Sequence, residues 1–163
     1  MIPIFSEDLS TGNICRSPIA EAVMKQALER EKLHHEWTVD SAGLGGWHSG
    51  SLPDGRALSV LKQNGIVYSN RARIITADDF KECDYIFGMD NNNVAELRRL
   101  APENSKAKVE LLGDFGLEES NKIIEDPYYL VGEEPFVKVY NQCVLACRAF
   151  AERLKKENTN TLS

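Results

Sequence analysis

Apolar side chains recur at alternating steps of four and three from Phe136 through Tyr140, Cys143, Cys147, Phe150 and Leu154. That spacing draws one continuous stripe along a helix. Ser17-Pro18 followed by Ile19, Ala20, Val23, Met24, Ala27 and Leu28 predicts a second helix, with Ser17 as cap and Pro18 at its first position. Arg56 to Gln63 predicts a third, entered through Asp54 and stopped near Gly65. Val94 to Leu100 predicts a fourth, with Asn91 to Asn93 as caps. Between these stretches the period changes. Asp84-Tyr85-Ile86-Phe87-Gly88-Met89 is a short apolar run of the kind buried on both faces of a sheet, and Trp37 to Asp40 and Val109 to Leu112 are further strand candidates. Strands alternating with helices imply an α/β fold, a parallel sheet covered by helices on both faces. Ligands in such folds sit where a strand's carboxyl end feeds a helix.

The first strand fits this scheme least well. A strand is needed before the Ser17 helix, but Ser6-Glu7-Asp8-Leu9 are poor strand formers. Ile2-Pro3-Ile4-Phe5 is more apolar, yet Pro3 is unwelcome in a central strand.

A length of 163 residues suits a single domain spanning 1–163, with the polar stretch 155–163 expected to fray. The net charge of −6 argues against a nucleic-acid or membrane-surface binder, so an anionic ligand would be held by local geometry rather than by a global field. Met1 to Phe5 is interrupted at once by Ser6, Glu7 and Asp8, which leaves no leader or membrane span to build from it. Cys15, Cys83, Cys143 and Cys147 are too few for a disulfide scaffold and lack zinc-site spacing. A cytoplasmic protein without metal or cofactor is the expectation.

One segment carries chemistry. Ser10-Thr11-Gly12-Asn13-Ile14-Cys15-Arg16-Ser17 runs straight into the first predicted helix. Gly12 and Asn13 tolerate the left-handed backbone of a tight anion nest. Loop amides, the helix N-terminus and the Arg16 guanidinium would converge on one tetrahedral anion. The plainer alternative is a helix-capping loop with a surface arginine. A nucleotide-binding GxxxxGK is absent.

Gly12 to Ala22 (GNICRSPIAEA) closely resembles the phosphate loop and first helix of low-molecular-weight protein tyrosine phosphatases. The resemblance continues through Asp40-Ser41-Ala42-Gly43, Gly46-Trp47-His48, Asp79-Phe80 and the stretch Asp84 to Asp90. Glu96 to Pro102, Leu112 to Gly116, and Ile124-Glu125-Asp126-Pro127-Tyr128-Tyr129 complete it. It implies a four-stranded parallel sheet and a C-x5-R loop in which a cysteine thiolate attacks phosphorus. By the same resemblance Arg16 holds the transferring phosphoryl group, within a phosphate-binding loop of Thr11, Gly12, Asn13, Ile14, Cys15, Arg16 and Ser17. It further implies that Asp126 protonates the leaving phenol, that Asn13 shapes the loop and that Ser17 faces the nucleophile. The matching positions put Trp47, His48, Tyr128 and Tyr129 on the walls of the implied substrate cleft and Asp90 and Asn70 in support of the site. The implied ligands are inorganic phosphate, aryl phosphates and phosphotyrosine-containing proteins, with the chain acting as a monomer.

The nucleophile position departs from the pattern. Five residues stand between Ser10 and Arg16, so Ser10 occupies the place of the cysteine. Cys15 cannot substitute, because the residue six positions after it is Glu21. A thiol ionises near pKa ~8.5, and a serine hydroxyl roughly five units higher, about 7 kcal/mol more work. Serine nucleophiles elsewhere borrow a base, and no histidine matches one here. Thr11 stands where a bulky apolar residue is usual, and Asn70 where many members have a histidine. The match begins abruptly at Gly12, as an alternative first exon, degeneration or a mis-joined gene would produce.

The reading is a phosphate- or phosphotyrosine-binding pseudophosphatase. Its alternatives are a working phosphatase with a variant N-terminus and an interaction scaffold that has lost anion binding. Cys143, Cys147 and Cys83 are expected in the core, His34 and His35 in a surface turn, and Arg71 and Arg73 in solvent.

Overall fold

The computed structural model describes residues 3–7 and 12–161, with side chains from residue 12 to 160. Ser10 and Thr11 lie outside the described residues. Among the described residues, β1 (Pro3–Glu7), β2 (Asp40–Gly43), β3 (Tyr85–Gly88) and β4 (Lys108–Leu111) form one sheet in the order β2-β1-β3-β4. Every pairing is parallel. The first strand is thus central despite its composition. Pro3 opens it, opposite Tyr85, and a strand's first residue is where a missing N–H is tolerated.

Among the described residues five α-helices cover the sheet: α1 (Arg16–Arg30), α2 (Gly55–Gln63), α3 (Ala77–Glu82), α4 (Asn91–Leu100) and α5 (Glu134–Thr161). Strand β3 alternates between two cores. Tyr85 and Phe87 join Trp37, Met24, Phe136, Cys143, Cys147 and Phe150 on the side of α1, α2 and α5. Ile86 joins Ala42, Phe80, Cys83 and Leu97 on the side of α3 and α4. Phe150 meets both Tyr85 and Phe87 edge-on, with ring centroids 5.0 Å apart in each case. Such pairs add about 0.5–1.5 kcal/mol beyond the area they bury.

Several boundaries move from where the sequence puts them. The second strand is Asp40–Gly43 rather than Trp37 to Asp40; Trp37 and Val39 are buried in the approach to it. Helix α1 begins at Arg16, so Ser17 lies within its first turn and is not its cap. Helix α4 is capped by Asp90, which accepts from the Asn93 N–H at 2.8 Å, not by the asparagines. Helix α3 escapes the apolar pattern because it is six residues long; Thr76 and Asp79 close a reciprocal capping box around its start. Helix α5 continues to Thr161, past the point where fraying is expected. There Lys155 pairs with Glu31 at 2.8 Å and Asn158 donates to Glu36 at 2.8 Å, tying the polar tail to the end of α1.

Candidate functional site

The backbone turns sharply at Gly12 and Asn13. Their φ angles are 49° and 64°, both in the left-handed region. Asn13 accepts that backbone because both ends of its amide are tied. Its Nδ2 donates to the Ser41 carbonyl at 3.1 Å, and its Oδ1 accepts from the Ser17 hydroxyl at 2.7 Å. Residues Asn13 to Ser17 are all buried. Cys15 precedes α1 without offering its N-terminus a side-chain cap. Gly43, at the end of β2, allows the loop to pass: a Cβ there would lie 2.9 Å from both Cα and C of Gly12.

Arg16 is fully buried beneath this turn. Its Nη1 donates to Asp90 Oδ2 and to the Ile124 carbonyl, each at 2.8 Å. Asp90 follows β3, and Ile124 is fastened to that strand's end by donating its N–H to the Met89 carbonyl at 3.0 Å. Two residues beyond, Asp126 is half-buried and accepts from the Tyr128 N–H at 3.0 Å. The turn leading into α1, the cap of α4 and the segment from Ile124 to Asp126 therefore meet at the carboxyl end of β3, beside β1, where the topology predicts a site. His48 and Tyr128 face each other with ring centroids 6.2 Å apart, and Tyr129 packs edge-on against Tyr128 at 4.9 Å. Trp47 and Tyr129 are 82% and 78% exposed, unusually open for rings of this size.

Asn70 belongs to a network around Glu21, a fully buried carboxylate on α1. Glu21 Oε1 accepts from Asn70 at 2.6 Å and Lys25 at 2.5 Å; Oε2 accepts from Ser41 at 2.6 Å and Tyr68 at 2.5 Å. Burial and the neighbouring Glu21 charge push the Tyr68 phenol well above its ordinary range. Through the Ser41 carbonyl this network reaches Asn13. The sequence reading passed over Glu21 and Tyr68. A lone carboxylate among Ile19, Ala20, Ala22 and Val23 is the trace of it in the sequence.

Other side chains fall in plainer places. Arg73 is no solvated cation: it pairs with Asp40 at 2.8 Å and Asp79 at 2.9 Å, bracing β2 against α3. Arg71 donates to the Gly50 carbonyl. His34 and His35 are exposed in a turn. All four cysteines are buried and unbridged; burial raises the Cys83 thiol to about 12 and lifts Cys147 as well. Among the described residues no helix is long and apolar enough to cross a membrane.

A turn feeding a helix at the carboxyl edge of a parallel sheet, with an arginine buried beside it, is suited to holding an anion. The family model for low molecular weight phosphotyrosine protein phosphatase matches residues 9–160, and the chain belongs to that family of hydrolases. It is 52% identical over 144 residues to low molecular weight phosphotyrosine protein phosphatase 2 of Drosophila melanogaster, covering 88% of each chain. Among solved structures it superposes on Primo-1 with a TM-score of 0.88 at 52% identity, covering 93% of this chain and 97% of that one. On the Drosophila arginine phosphatase DARP the TM-score is 0.86 at 38% identity, covering 94% and 96%.

Proposed function

We propose that the chain binds phosphate, or a phosphorylated side chain of a protein, in the loop around Arg16, with little or no turnover. Ser10 carries the reading. It stands six residues before Arg16, where C-x5-R chemistry needs a thiolate. Arg16 is buried and oriented by Asp90 and the Ile124 carbonyl, an arrangement that favours a bound oxyanion whether or not an attack follows. Asp126 serves as the acid of any residual hydrolysis, and Trp47, His48, Tyr128 and Tyr129 wall the cleft. Asp90 and Asn70 support the loop, Asn70 through Glu21. The protein acts as a cytosolic monomer.

The test is hydrolysis of an aryl phosphate by the unmodified chain and by Ser10→Cys, beside thermal stabilisation by phosphate and vanadate. Stabilisation without turnover, with turnover gained on Ser10→Cys, is the expected result. Turnover by the unmodified chain equal to that of Ser10→Cys would return it to the working phosphatases. Absence of both anion stabilisation and turnover would leave an interaction scaffold. Because a 38%-identical structure is that of an arginine phosphatase, the binding arm uses phosphotyrosine and phosphoarginine peptides side by side.

A further inference from the structure

Asp54 and Arg56 stand at the start of α2, outside every motif singled out in the sequence. Asp54 caps the helix, accepting from the Arg56 N–H at 2.8 Å. A cap needs nothing more, yet this pair reaches in both directions. The Asp54 N–H donates to the Ile14 carbonyl of the phosphate loop at 2.8 Å. The Asp54 carboxylate receives the Arg56 fork, Nε at 3.0 Å and Nη2 at 2.9 Å. The same guanidinium donates to the carbonyls of Leu130 at 2.7 Å and Tyr128 at 3.0 Å. Its Cζ lies 4.4 Å from the centroid of the Phe136 ring. The Tyr128 N–H then donates to the Asp126 carboxylate, and the Leu130 N–H closes a turn on the Pro127 carbonyl.

We infer that Arg56 is a positioning residue that registers the Asp126 segment over the phosphate loop. The path is continuous, from Ile14 through Asp54, Arg56 and Tyr128 to Asp126, and each link is a hydrogen bond. Only a planar cation with several fixed donors can hold Asp54 through two of them, reach two carbonyls and lie on an aromatic face. Lysine has the charge but not the fork. The inference deepens the proposed function, since it rests on Asp126 acting as the acid there.

The test compares Arg56→Met, Arg56→Lys and Asp126→Asn in Ser10→Cys protein, on phenyl phosphate and p-nitrophenyl phosphate. Phenol, with a pKa of about 10, needs a proton to leave far more than p-nitrophenol does. Arg56→Met is expected to slow the phenyl ester about 10–100-fold, within the range a general acid supplies, and the nitrophenyl ester much less. Arg56→Lys recovers a part of that loss. On top of Asp126→Asn, Arg56→Met adds little. Equal losses on both esters, or fully additive losses, would overturn the positioning role.

A second measurement needs no turnover. Amide hydrogen exchange is followed in the native chain and in Arg56→Met. Residues 126–131 are expected to exchange at least about 10-fold faster while the α1 amides hold their rates. Unchanged exchange at 126–131 would overturn the inference. If Ser10→Cys hydrolyses neither ester, the proposed function fails, and exchange alone decides for or against the Arg56 contact path.

Discussion

The Asn70 amide donates to Glu21 Oε1 at 2.6 Å, so a side chain that does not titrate near neutrality holds one edge of a buried carboxylate. Lys25, Ser41 and Tyr68 complete the set. Asn70→His should introduce a pH dependence. A histidine facing Glu21 gains a partner, so its folded pKa rises above the ordinary ~6.5. Its contribution is then fully present below ~6.5 and lost as pH climbs through the raised value. Urea unfolding of both proteins from pH 5 to 9 checks this; parallel curves would show that position 70 is not coupled to the carboxylate.

Glu21 itself is expected to be costly to remove. Glu21→Ala leaves four donors facing an empty acceptor, a loss of about 3–5 kcal/mol for breaking a buried charged cluster. Tyr68→Phe deletes one donor and keeps the ring, so about 1.5–3 kcal/mol is expected, the span for a hydrogen bond to a charged group. Equilibrium unfolding measures both. A Glu21→Ala protein as stable as the native chain would show that the carboxylate is not the centre of the network.

Gly43→Ala tests the approach of β2 to the phosphate loop. The new Cβ would sit 2.9 Å from backbone atoms of Gly12, which no side-chain rotation relieves. A cost of about 1–3 kcal/mol is expected from such overpacking. The Gly12-Asn13 turn must shift with it, so phosphate should stabilise the variant less than the native chain. Gly55→Ala is the control, since its Cβ would meet nothing within 4 Å. Equal phosphate-induced shifts in melting temperature for the two variants would refute the prediction.

Much of this site is legible in the sequence, for physical reasons. Gly12-Asn13 announces left-handed backbone, and Arg16 beside it announces an anion; both stand where the chain order places them. The α5 stripe is read correctly because one-sided burial imposes a period on it, and the β3 run because burial on both faces leaves it apolar throughout. Strand β2 is not, because Asp40-Ser41-Ala42-Gly43 is chosen for what it touches: Ser41 bonds Asn13 and Glu21, and Gly43 clears Gly12. Strand β1 misleads similarly, since Pro3 is judged as interior when it is terminal. The reach of Arg56 across 72 and 74 residues to the Tyr128 and Leu130 carbonyls leaves no local pattern at all.

Acid should weaken the molecule at two named carboxylates. The hydrogen bonds from Arg56 hold Asp54 below its ordinary 3.8. Burial works to raise Asp79, but hydrogen bonds from Arg73 and the Thr76 N–H overcome it and leave Asp79 lowered too. Both groups thus add stability that is present above the ordinary carboxylate range and lost as pH falls through their depressed folded values. Asp54→Asn and Asp79→Asn should each flatten the fall in melting temperature between pH 5 and about 2.5. A fall as steep as in the native chain, for both variants, would assign the acid sensitivity to other carboxylates.

Cys15, Cys83, Cys143 and Cys147 are buried and unbridged, and burial keeps the Cys83 and Cys147 thiols protonated at neutral pH. Protonated, inaccessible thiols are poor nucleophiles toward peroxide or disulfide reagents. Cys143 and Cys147 lie one turn apart on α5, and the Cys147 thiol points at the Ala20 carbonyl at 3.8 Å. With serine at position 10, the loop has no second sulfur for Cys15. Native protein treated with peroxide at pH 7 should therefore form no intrachain disulfide, and mass spectrometry should find all four thiols free after unfolding. Ser10→Cys should form one, between positions 10 and 15, with reversible loss of whatever hydrolysis that variant has gained. A peroxide-induced bridge to Cys15 in the unmodified chain would place another cysteine beside the phosphate loop and overturn the assignment of Ser10 to the nucleophile position.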